Sequence, residues 1–170
     1  MIEFIVLRIV HILAGVFWAG AAIMLAAFLE PTARALGPDG GKFMQRLTGQ
    51  MRLTFFILLA ASLNVLSGLG LYWLLSGGFQ VRWITSSLGL SLTIGALAAI
   101  VTFILGLTVT RPALLRMGAL GRAIQSAEGP PTPEQMAEMQ ALQKRLATAG
   151  RIGAVLLVIA VIGMSVARYI

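Results

Sequence analysis

Apolar positions crowd into four long runs along this chain, at about residues 3–29, 53–75, 84–109 and 151–169, and polar positions collect in the connections between them. A helix crosses the hydrocarbon core with roughly 20 mostly apolar residues, and each run is about that long or longer. The pattern predicts an all-α fold: a polytopic membrane four-helix bundle with cytoplasmic helical extensions, forming one integral membrane domain over residues 1–170. The run edges carry interfacial residues. The second run begins after Arg52 and closes with Leu71-Tyr72-Trp73, and the third follows Arg82-Trp83 and stops at Arg111-Pro112. The fourth starts at Arg151 and ends at Arg168-Tyr169. The first run is too long for the hydrophobic region of a signal peptide and its start lacks a basic segment. It is expected to persist as a span.

The two long connections, 30–52 and 110–150, are expected to extend the spanning helices. Thr132-Pro133-Glu134-Gln135 predicts an N-cap, a proline at the first helical position and a capping-box glutamine. The helix that starts there is expected to run from 133 to 168. Asp39 is a candidate cap for a helix leading through Phe43, Met44 and Leu47 into the second span. Pro112 should kink or restart the helix after the third span, and Gly129-Pro130-Pro131 is the clearest turn. Met136, Met139, Leu142 and Leu146 form one apolar stripe. It is expected to pack internally on Leu114, Leu115, Met117, Leu120 and Ile124, the alternative being a docking surface for another subunit.

Composition strengthens this picture. Soluble domains carry about a quarter charged residues, whereas these 170 residues are 11% charged and 58% hydrophobic, with a mean hydropathy of +0.91. The absence of cysteine removes disulfides, thiolate metal sites, cysteine nucleophiles and covalent c-type haem attachment. The net charge of +7 reports orientation in a membrane protein, so nucleic acid is not expected as a partner. Arg8, Arg82 and Arg168 lie on one side of the four runs, and the other ten of the 13 Lys and Arg lie on the opposite side. The positive-inside rule then places both termini outside a bacterial inner membrane, with 30–52 and 110–150 in the cytoplasm.

Within the first run, Arg8-Ile9-Val10-His11-Ile12-Leu13-Ala14-Gly15-Val16-Phe17-Trp18 carries the only histidine of the chain. An ionisable group inside hydrocarbon is a functional candidate by default. Trp18 lies two turns from His11 on the same face, with Ala14 and Gly15 between them. Such a groove of small residues admits either a flat ring or a neighbouring helix. As a metal ligand, His11 has no second His, no Cys and no buried carboxylate within the spans to join it. Met164 lies at comparable depth in the fourth run, and one His with one Met suits the axial ligation of a b-type haem. Arg8 is one turn from His11 toward the same end, where haem propionates seek a guanidinium; snorkelling at a span end is the plainer use of that arginine. No serine–histidine–acid set or phosphate loop is present. Asn64, with Ser62, Ser67, Ser86, Ser87, Ser91, Thr93 and Thr102, is expected to hydrogen-bond between helices.

The stretch His11-Ile12-Leu13 to Trp18-Ala19-Gly20, with Gly68-Leu69-Gly70-Leu71-Tyr72-Trp73, resembles the HemJ-type protoporphyrinogen oxidases and the copper-resistance CopD-type membrane proteins over roughly residues 5–106. The resemblance implies a four-helix membrane bundle and, on the HemJ side, a b-type haem on His11. It also implies a lysine early in the third span, where this chain has Trp83-Ile84-Thr85-Ser86-Ser87-Leu88. Three functions are therefore expected in turn. The first is a haem-b protein in electron transfer or haem-linked redox chemistry, with His11, Met164, Arg8 and Trp18 around the cofactor. The second is a cofactor-free accessory subunit, with the bilayer and other membrane subunits or further copies of itself as partners. The third is a copper or small-solute transporter.

Overall fold

The computed structural model describes every residue except Glu128. Its helices are α1 (Ile2–Ala35), α2 (Pro38–Gln45), α3 (Leu53–Ser76), α4 (Val81–Ile84), α5 (Ser87–Ser126) and α6 (Pro133–Tyr169). Four of them, α1, α3, α5 and α6, are long and apolar enough to cross a membrane. No strand occurs among the described residues. The fold is the expected all-α four-helix arrangement.

The helices form two close antiparallel pairs, α1 with α3 and α5 with α6, and the contacts of α3 with α5 and of α1 with α6 close the ring. Alanine makes this closeness achievable. Ala14, Ala19, Ala60, Ala61, Ala98, Ala99 and Ala160 fill the buried centre, and Trp18 and Leu157 are its only large members. Between helices in lipid there is no hydrophobic driving force, so small side chains that bring backbones together supply the packing. The large apolar side chains point away: Val16, Phe28 and Leu66 are each more than half exposed. In water such a surface would aggregate, whereas in hydrocarbon it is the solvated one. This is a multi-pass membrane protein.

Two of the long helices pass through a proline without breaking. A π-helical turn, Leu25–Leu29, lies just ahead of Pro31, and another, Gly106–Thr110, just ahead of Pro112. Proline has no N–H to donate and its ring presses on the carbonyl four residues back. Widening the preceding turn relieves that clash and lets the helix continue. Pro112 thus widens the helix rather than restarting it, and α5 runs unbroken for 40 residues. At 1.5 Å per residue, 37 to 40 residues span about 55–60 Å, nearly twice the hydrocarbon thickness. Both α5 and α6 must therefore project well beyond the bilayer at the arginine-rich end.

Local signals fared unevenly. Thr132 and Gln135 form the complete capping box, with Gln135 N–H donating to Thr132 Oγ1 and Thr132 N–H to Gln135 Oε1. From that cap α6 runs to Tyr169, its last turn tightening to a 3-10 helix. Asp39, by contrast, is not a cap. The cap of α2 is Gly37, at φ 58°, with Pro38 at the first helical position; Asp39 sits inside the first turn, paired with Lys42. The third span begins later than the apolar run suggests. Val81–Ile84 forms its own short turn, and Ser86 then caps α5 by accepting from Gly89 N–H. The projecting parts of α5 and α6 pack on each other, burying Ala113 and Leu120 as the apolar stripe predicts. Leu115, at 64% exposure on the outer face of α5, and Met136, at 45%, are the exceptions.

Candidate functional site

Near one end of the α1–α3 pair, His11 meets Asn64. The His11 Nδ1 lies 2.9 Å from the backbone oxygen of Asn64, and Asn64 Nδ2 donates to the backbone oxygen of His11 at 2.8 Å. Each residue therefore bonds the main chain of the other across the interface. A carbonyl oxygen can only accept, which assigns the proton to Nδ1 and leaves the lone pair on Nε2. The Asn64 amide also lies 3.3 Å from Nδ1, a secondary contact once that nitrogen is the donor. Asn64 is buried and His11 half-buried.

Glycine makes this exchange sterically feasible. A Cβ on Gly68 would stand 2.8 Å from His11 Cε1, and a Cβ on Gly15 would stand 2.7 Å from Asn64 Nδ2. Each glycine lies four residues after the polar residue of its own helix, so the antiparallel pair carries His11 with Gly15 facing Asn64 with Gly68. Each polar side chain rests on the other helix's glycine. The groove beside His11 thus admits a helix: Ala14 and Trp18 are buried in the bundle centre, and Asn64 closes over Gly15.

The other expected site residues are dispersed. Arg8 is exposed, and Leu7 beside it packs over Gly70. Trp18 is 4% exposed among the alanines. Met164 lies on a different interface, with its side chain and the Ala160 carbonyl over Gly95 where α6 meets α5. His11 faces α3 and Met164 faces α5; their contacts do not bring them together. Among the described residues, no group of three His, Asp or Glu side chains gathers as a metal site. A porphyrin needs a slot wide enough for a flat ring beside its ligand. The α1–α3 interface has instead closed to glycine-on-side-chain contact, so a ring between these helices does not fit without parting them.

Further interhelical bonds follow the polar residues of the spans. Ser91 Oγ donates to the Gly163 carbonyl, tying α5 to α6, and Tyr72 shares a 2.6 Å bond with Thr93 Oγ1, tying α3 to α5. Ser62, Ser67 and Thr102 instead bond carbonyls of their own helices. Tyr72 also packs edge-on to Trp83, and Trp73 edge-on to Phe79, making an aromatic cap over the 77–86 connection. Among the described residues no buried side-chain polar atom lacks a partner. Nothing matched this chain among protein-family models, curated proteins or solved structures.

Proposed function

We propose that this chain is a cofactor-free helical subunit of a larger membrane assembly, and that His11 holds a helix rather than an iron. The observation that supports this reading is the reciprocal His11–Asn64 bond, seated on Gly15 and Gly68, which uses the groove a ring would need. The histidine then satisfies its own cost of burial by bonding across the helix pair. In this reading the protein sits in a bacterial inner membrane with both termini outside and the arginine-rich extensions in the cytoplasm.

A second reading keeps His11 as an axial ligand of haem b, as the HemJ-type resemblance implies. One observation favours it. An imidazole that gives its Nδ1 proton to a backbone carbonyl is held in the tautomer and orientation that ligating histidines adopt, with Nε2 available. Arg8 would then hold a propionate, and α1 and α3 would have to part near Asn64. The chemistry such a group supplies is electron transfer.

Visible spectra of the detergent-purified protein, made with ample haem and read oxidised and reduced, separate the two. The expected preparation is colourless, and His11→Ala and Asn64→Ala are expected to destabilise it non-additively, with a coupling of about 1 kcal/mol in a double-mutant cycle. A Soret band at one haem per chain, lost in His11→Ala, would overturn the cofactor-free reading.

A further inference from the structure

A polar cavity of about 330 Å³ opens at the arginine-rich end, lined by Arg34 from α1 and by Gln140, Gln143, Lys144, Thr148 and Arg151 from α6. The α6 residues recur every three to four positions, so they form one face of a single helix. Buried Ala147 is the floor of that face, and its small size lets the end of α1 approach. Three cations line the cavity. The opposing charge is Glu30, which pairs with Arg34 and stands near Gly150 of α6. Lys144 and Arg151 take part in none of the ion pairs among the described residues. Two positive charges therefore remain, surrounded by amide and hydroxyl donors.

Depth decides what those charges meet. Arg151 stands where the last apolar run begins, and Arg34 lies five residues beyond Leu29, where the first run ends. At 1.5 Å per residue, Lys144 is about 10 Å farther out than Arg151. The cavity thus straddles the level of lipid headgroups, with cations above and below it. A basic pocket between spanning helices at this depth is suited to a phosphate headgroup, and guanidinium binds phosphate oxygens in a bidentate way. The larger cavity nearby, of about 810 Å³, lies around α2; its Lys42 is paired with Asp39, and Arg46 is its one further cation. Its net excess is therefore one positive charge, against two here.

We propose that Arg34, Lys144 and Arg151 form a binding site for the phosphate headgroup of an anionic lipid. This goes beyond the subunit reading and is independent of whether His11 binds haem. The site would tie the α1–α6 junction to the membrane surface.

The test is native mass spectrometry of the full chain released from nanodiscs of mixed phosphatidylglycerol and phosphatidylcholine. The wild type should retain phosphatidylglycerol preferentially, and Lys144→Gln/Arg151→Gln should lower that retention about tenfold. Arg145→Gln, a neighbouring exposed cation outside the cavity, should leave it unchanged. A circular-dichroism melt equal to wild type confirms that the double variant is folded. If the double variant unfolds early, Lys144→Gln alone, at an exposed site, is compared with Arg145→Gln by the same readout. Equal retention of both lipids, or equal loss in Arg145→Gln, would overturn the proposal. Release of the bound lipid by millimolar inorganic phosphate would overturn its lipid source and assign the site to a soluble anion.

Discussion

At the level of single residues, the glycine beneath His11 is a tight constraint on the candidate site. Gly68→Ala places a methyl 2.8 Å from His11 Cε1 and 3.1 Å from Nδ1, so the ring must move off the Asn64 carbonyl or α1 must move off α3. The expected cost is about 1–3 kcal/mol, as for other overpacked sites. Gly20→Ala on the same helix pair meets nothing within 4 Å and should be neutral or mildly stabilising, because alanine suits a helix better than glycine by about 0.5–1 kcal/mol. Thermal melts of the two variants in one detergent check this contrast; equal effects would remove the clamp. His11 itself stood out in the sequence, as the only histidine and deep in an apolar run. Asn64 stood out too, as an amide in mid-span expected to bond between helices, but not as the partner of His11. Asn64 is 53 positions away, and only the antiparallel register of α1 on α3 makes them neighbours. The paired spacing of each polar residue four positions before a glycine is the signal that, compared across runs, points to the match.

Among elements, the projecting parts of α5 and α6 are joined by an ion pair as well as by their apolar stripe. Arg116 donates through both Nε and Nη2 to the Glu138 carboxylate. The Arg116 hydrogen bond, with a smaller contribution from its charge, holds the Glu138 carboxyl below its usual range, and the same bond raises Arg116. A carboxyl whose pKa is lower folded than unfolded stabilises above the unfolded value and loses that contribution as pH falls through the folded one. Both groups are exposed and water screens them, so the effect is small and local. Hydrogen exchange over 111–126, expressed relative to the intrinsic amide rate at each pH, is expected to rise on acidification from about pH 7 to about pH 3. In Glu138→Gln that rise should shrink toward the level of neighbouring segments. The variant is needed because Glu134 is also held low, by its own backbone N–H and the Thr132 side chain; an unchanged rise would assign the pH response elsewhere.

Element boundaries were legible where the signal was local. The capping box at Thr132 and Gln135 needs only four adjacent residues, and it starts the helix where the sequence places it. Asp39 misleads for an equally local reason: Pro38 is itself the residue suited to the first helical position, which moves the cap back to Gly37. The π turns before Pro31 and Pro112 carry no comparable mark, since whether a helix breaks or widens at proline depends on what holds both halves in line. Here α6 packs on the Gly106–Thr110 turn and both its flanks, and on the Leu25–Leu29 turn and the helix before it.

For the whole molecule, the testable quantity is topology. The chain has no cysteine, so a single introduced cysteine is a unique label. Gly37→Cys and Gln125→Cys should react with impermeant maleimide only from the cytoplasmic side, and Phe79→Cys only from outside. Reversed labelling at all three positions would invert the proposed orientation while leaving the bundle intact.

Hydrophobic run length and the lopsided placement of arginine are one-dimensional properties, set by the free energy of moving each side chain into hydrocarbon. The four spans, their all-α character and their expected direction therefore follow from the sequence by itself. Which helix faces which is a different kind of quantity. Lipid solvates every apolar face equally well, so pairing depends on where small residues line up in three dimensions. Only the tertiary structure brought α1 onto α3 and α5 onto α6, closed the groove beside His11 with Asn64, parted Met164 from His11, and gathered Arg34 with Lys144 and Arg151 at one cavity.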